Sequence, residues 1–170
     1  MSKNRTFRAG LVLSLAAAAL AGASTATAGQ QRILTFNTMV GVPAGLTGTQ
    51  SQVPLRGING GGIPWMIASG AGRLSASGHL EVEVKGLVLA AGASAGSNPI
   101  ASFRALVSCV AADGGFVNVL TAPTTATTGP AASGGGDAEI VADLALPQPC
   151  IAPIVFVTSP GGSWFASTGG

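Results

Sequence analysis

HLEVEVK, running from His79 to Lys85, is the stretch that decides the fold class. Leu80, Val82 and Val84 occupy every second position, and His79, Glu81, Glu83 and Lys85 fill the positions between them. A period of two puts the apolar side chains on one face of an extended chain and the polar ones on the other, which is the pattern of a half-buried β-strand. A helix would need apolar residues three and four positions apart. The alternation recurs over 137–146, where Ala138, Ile140, Ala142 and Leu144 read as inward and Asp137, Glu139 and Asp143 as outward. Over 102–110 the inward set is Phe103, Ala105, Val107 and Cys109. Ile154-Val155-Phe156-Val157 is apolar without interruption, which predicts a central strand covered on both faces. Further strands are expected near 33–37, 63–69, 73–77 and 164–167. No stretch beyond the N-terminal segment carries a helical period. Short strands between Gly- and Pro-rich turns predict an all-β chain, either an antiparallel β-sandwich or a partly closed barrel.

The segments between the strands carry turn chemistry. Ala112-Asp113-Gly114-Gly115 reads as a hairpin. A two-residue Asp-Gly loop sets Asn118 opposite Cys109. A three-residue Asp-Gly-Gly loop with a left-handed glycine sets Val119 there and turns Asn118 outward, and is preferred. Gly57-Ile58-Asn59-Gly60-Gly61-Gly62-Ile63-Pro64-Trp65 matches neither phosphate-binding spacing; no Lys follows, and Pro64-Trp65 opens a strand. It reads as a turn in which Asn59 and Gly60 to Gly62 supply positive φ. Pro147, Pro149 and Pro153 make the lead-in to the 154–158 strand too proline-rich for a ladder, so it reads as extended linker. Residues 91–98 read as a loop. Residues 121–136, TAPTTATTGPAASGGG, read as a low-complexity, disordered loop, with a mobile flap or a glycosylated patch as functional alternatives.

The first 28 residues read as a secretory signal peptide: Lys3, Arg5 and Arg8, then an apolar run from Leu11 to Ala23, then Ala26-Thr27-Ala28. The apolar run is shorter than the roughly 20 residues of a membrane span. Cleavage leaves one domain over 29–170, expected outside the cytoplasm with no membrane span. Three of the eight basic residues leave with the leader, so five basic residues remain against six acidic ones. Five scattered cations make no basic stripe, which excludes the electrostatic footprint of a nucleic-acid binder. Cys109 and Cys150 are the only cysteines and, in an oxidising compartment, are expected to pair.

Candidate chemistry is sparse. Gly92-Ala93-Ser94-Ala95-Gly96 matches the nucleophile elbow of α/β-hydrolases, but a strand follows it rather than a helix, and the single His79 precedes Ser94. His79 with Glu81 has the elements of an acid–base pair, and Glu81 with Glu83 those of a carboxylate pair. All three read more simply as the solvated face of a strand. Asp137 and Glu139 lack the further oxygen ligands that Ca²⁺ requires. No catalytic residue, metal or cofactor is assigned. Trp65 and Trp164 are the candidate ligand-stacking aromatics, as in sugar-binding sandwiches.

RGINGGGIPW, GHLEVEVKGLVL, NPIASFRALVSC and LPQPCIAPIVFVTSPGGSWFAST together resemble small secreted bacterial β-rich proteins without a known activity. The resemblance covers most of residues 29–170 and implies a secreted β-domain, with no site residue to carry over. The expected function is a non-enzymatic binding or structural role at the cell exterior, toward a glycan, cell wall or protein. The alternatives are a small serine hydrolase using Ser94, or a self-assembling surface protein.

Overall fold

The HLEVEVK alternation becomes the centre of a four-stranded antiparallel sheet. β5 (His79–Lys85) lies between β4 (Ser69–Ser75) and β12 (Ala138–Asp143), and β1 (Arg32–Phe36) pairs the far side of β4. Leu80 faces Leu74 and Ala142, Val82 faces Ile140, and Val84 faces Ala138. Leu74, Leu80, Val82, Val84 and Ile140 are all buried. Each such side chain contributes about 1.5–3 kcal/mol on leaving water. The β4–β5 turn closes on Gly78 at φ +92°, where an added Cβ would strike the Leu144 carbonyl; Leu144 N–H in turn donates to Gly78 O at 3.0 Å. This glycine therefore docks the end of β12 onto the turn. The computed structural model describes residues 31–46 and 54–169, so the signal-peptide reading of 1–28 lies outside the described residues.

The second sheet has six strands. β8 (Ser102–Val110) pairs β13 (Ile151–Thr158), which pairs β14 (Trp164–Thr168), which pairs β2 (Met39–Gly41). The other edge of β8 carries β9 (Phe116–Leu120) and the short β10 (Thr124–Thr125). Two-residue ladders, β3 (Trp65–Met66) with β6 (Val88–Leu89) and β7 (Ser97–Asn98) with β11 (Gly129–Pro130), trim the ends. All pairings between these strands are antiparallel. Among the described residues there is no α-helix.

The two sheets share one apolar cluster. Phe103, Ala105, Val107 and Cys109 enter it from β8, with Val155 and Val157 beside them on β13. Met39 of β2 lies so close to Gly70 of β4 that no Cβ would fit there. Trp65 stacks on Phe165 with ring centroids 4.0 Å apart, and Phe103 meets both rings edge-on. Leu106 and Phe156, on the opposite face of the sheet, are buried as well. Arg56 reaches this region: its Nη1 donates to Ser108 O at 3.1 Å, and its own carbonyl accepts from Asn118 Nδ2 at 3.1 Å. The central strand over 154–157 is accordingly covered on both faces. Cys109 and Cys150 form the expected disulfide, tying β8 to the residue before β13.

Several local expectations are corrected. Strand β13 begins at Ile151 and contains Pro153, because a register shift between Ile151 and Ile154 lifts the proline out of the regular ladder. The hairpin loop has three residues as expected but lies one residue earlier, at 112–114: Ala111 pairs Gly115, Cys109 faces Val117 in place of Val119, and Gly114 holds the left-handed position at φ +84°. The outward placement of Asn118 is retained. None of Asn59, Gly60, Gly61 and Gly62 supplies positive φ; that role falls to Arg56 and Gly57. Gly60 and Gly61 are small because the chain is crowded there, by the Leu46 carbonyl at Gly60 and the Phe165 ring at Gly61. Residues 121–136 are built structure and not a disordered loop: they hold β10, β11 and a 3-10 turn at Ala131–Ser133. Thr121 and Ala126 are buried, and the buried Asn98 amide donates to Ile100 O and Thr127 O, both at 2.8 Å. Small side chains let this segment pack against the sheets despite its composition.

Candidate functional site

The outward positions of β5 meet those of its neighbours. Glu81 lies between Arg73 and Val141, Glu83 between Ala71 and Glu139, and His79 opposite Asp143. Strand pairing thus collects charges that are scattered in sequence. Arg73 Nη2 donates to Glu81 Oε1 at 2.5 Å. His79 bridges two carboxylates, with Nδ1 at 2.7 Å from Asp143 Oδ1 and Nε2 at 3.1 Å from Glu81 Oε1. Lys85 Nζ lies 3.4 Å from Asp137 Oδ2 and 3.7 Å from Glu83 Oε1, and Asp137 Oδ1 accepts the Gly86 N–H at 2.9 Å.

A ring nitrogen facing a carboxylate on each side favours the imidazolium, which donates from both. The His79 pKa is raised above the ordinary 6.5, first by the Asp143 hydrogen bond and then by Glu81. The Glu81 pKa is held below the ordinary 4.5, first by Arg73 and then by His79. The His79 side chain remains 43% exposed, so water screens the network and its net stabilisation is small.

Arg73, Glu81, Glu83, Lys85 and Asp137 of this network border a shallow groove of about 770 Å³ on the outer face of the four-stranded sheet. Ala71 keeps its floor low, while the Phe36 ring packs on the core face of the sheet, where a Gly72 side chain would stand. Arg32, Arg73 and Lys85 reach it together with Glu81, Glu83, Asp137 and Glu139, three cations against four carboxylates. Thr125 and Thr127, from the segment expected to be disordered, add hydroxyls to the rim.

The other candidate residues lie elsewhere. Trp65 and Trp164 are 5% and 3% exposed. Trp65 is stacked on Phe165 and Trp164 lies edge-on to Phe156, so neither offers a free face to a sugar. Their assignment as ligand-stacking aromatics is corrected to core packing, because β14 is covered on both faces: Phe165 packs with Trp65 and Phe103 on one, and Trp164 packs with Phe156 on the other. Ser94 sits in an exposed turn between β6 and β7. No hydrogen bond joins it to His79 among the described residues, and both ring nitrogens of His79 are already held by carboxylates. Asp137 is engaged by Lys85 and Gly86, and among the described residues no group of three or more His, Cys, Asp or Glu side chains is placed to hold a metal. No described helix is long and apolar enough to cross a membrane.

Sequence reasoning found His79, Glu81 and Glu83 as one polar face. It missed Arg32, Arg73, Thr125 and Thr127, because their membership depends on which strand lies beside which. Comparison with known protein families, curated proteins and solved structures finds no match for this chain.

Proposed function

We propose that this protein is an exported, non-enzymatic β-sandwich that binds a neutral, hydroxyl-rich glycan along the outer groove of its four-stranded sheet. One observation carries the reading: on a chain with 8% charged residues, seven ionised side chains of nearly balanced sign line a single groove. Carboxylates accept hydrogen bonds from sugar hydroxyls, and guanidinium and ammonium groups donate to them. A near-zero local charge gives no electrostatic pull toward a strongly charged polymer. The N-terminal sequence and the Cys109–Cys150 disulfide support export to an oxidising compartment, and the likeness to small secreted bacterial β-rich proteins belongs to the same reading. No observation favours the hydrolase reading of Ser94.

Retention on insoluble cell-wall polysaccharide tests the proposal. Arg73→Ala and Glu83→Ala remove exposed groups, at a stability cost of about 1 kcal/mol or less. Each is expected to weaken retention about tenfold, the loss of one charge-assisted hydrogen bond. Retention equal to wild type in both variants overturns the site.

A further inference from the structure

The edge of the six-stranded sheet at β9 carries a second inference, independent of the groove. The flanking hydrogen bonds, Ala111 N–H to Gly115 O at 2.8 Å and Thr121 N–H to Ala105 O at 2.9 Å, fix the phase of the β8–β9 ladder. In an antiparallel pair, alternate residues turn their backbone groups toward the partner strand. Val117 and Val119 therefore bond to β8. Phe116, Asn118 and Leu120 direct their N–H and C=O groups outward, and among the described residues no strand takes them up. The strand itself contains no charge, proline or bulge to protect a free edge; the one cation beside it, Arg56, lies over the Phe116 ring, 5.4 Å from its centroid. Phe116 is 57% and Leu120 37% exposed.

The sequence of the edge, Phe116-Val117-Asn118-Val119-Leu120, is close to a palindrome about Asn118. We infer that β9 pairs with β9 of a second copy of this chain, antiparallel, across a two-fold axis at Asn118. In that register Phe116 meets Leu120, Val117 meets Val119 and Asn118 meets itself. Phe116, Asn118 and Leu120, the residues with outward backbone groups, then form the hydrogen-bonded pairs, so backbone phase and side-chain symmetry select the same register. No charged side chain opposes another, and the pairing joins two six-stranded sheets into one. An isologous contact of this kind closes as a dimer and does not propagate. Five residues bury less than the roughly 1,200–2,000 Å² of a stable interface, so the dimer depends on concentration.

Sedimentation equilibrium of the mature chain from micromolar to millimolar concentration tests this. Wild type is expected to pass from monomer to dimer. Asn118→Lys and Asn118→Asp each place like charges face to face and are expected to weaken association at least about tenfold. An equimolar mixture of the two variants restores the dimer, since opposite charges then meet. Amide hydrogen exchange on wild type reads the register without any substitution. The amides of Phe116, Asn118 and Leu120 gain protection with concentration, while those of Val117 and Val119 do not change. A monomer at millimolar concentration, an oligomer beyond the dimer, a mixture that fails to associate, or protection that ignores concentration overturns the inference.

Discussion

Reducing the Cys109–Cys150 bond perturbs the fold at one covalent point and leaves every side chain in place. The two cysteines are 41 residues apart in sequence, and the closed loop contains β9, β10, β11 and β12. In the chain-entropy model, closing a loop of that length removes about 13 cal/mol/K from the unfolded chain, or about 4 kcal/mol at 25 °C. For a domain of this size that corresponds to a fall in Tm of roughly 10–15 °C. The double variant Cys109→Ala with Cys150→Ala is expected to lose about 1 kcal/mol more, because Cys109 is fully buried and its sulfur packs in the core. Urea unfolding followed by the fluorescence of Trp65 and Trp164, in oxidising and reducing buffer, measures both quantities. A loss under 1 kcal/mol on reduction refutes the reasoning, and so do two titratable thiols in the native oxidised protein.

Two further predictions follow from the packing and the charged face. Trp65→Ala is expected to cost about 3–5 kcal/mol, because it removes a buried ring stacked on Phe165; a loss under 1 kcal/mol would mean that the indole is a surface platform after all. His79, the single histidine, is expected to titrate above 6.5 by NMR. Its raised pKa stabilises the fold below pH 6.5, an effect lost as pH rises through the folded value. The lowered Glu81 pKa stabilises above pH 4.5, an effect lost as pH falls through its folded value. Tm is therefore expected to be highest between about pH 4.5 and 6.5, with the alkaline decline flattened in His79→Asn. A His79 midpoint below 6.5 contradicts the carboxylate bridge.

The fold class was legible because alternation is a local signal. HLEVEVK and the 138–144 pattern each name their own buried face, and the structure pairs those two strands with the buried faces aligned. The Ile154–Val157 run announced its central position in the same way. What failed depends on neighbours. Trp164 is buried because the second face of β14 is also covered, by Phe156 beside it and by the 59–61 segment bonded to its backbone, and no residue near Trp164 reports that cover. Residues 121–136 lack an apolar period because backbone bonds and the buried Asn98 amide hold them, in place of a hydrophobic face. The glycines at 60 and 61 answer to a carbonyl and a ring from other parts of the chain, so their role is invisible locally. The groove was half legible: β5 supplied its own charges, while Arg73 and Glu139 join only through the cross-strand register.

The most direct test of the proposed site is an NMR titration of the isotope-labelled chain with soluble neutral cell-wall oligosaccharides. Glycan binding in the groove predicts saturable shifts at the amides and side chains of Arg73, Glu81, Glu83, Lys85 and Glu139, with the β9 edge and the Ser94 turn unmoved. Shifts confined to other surfaces, or none at saturating glycan, would contradict it.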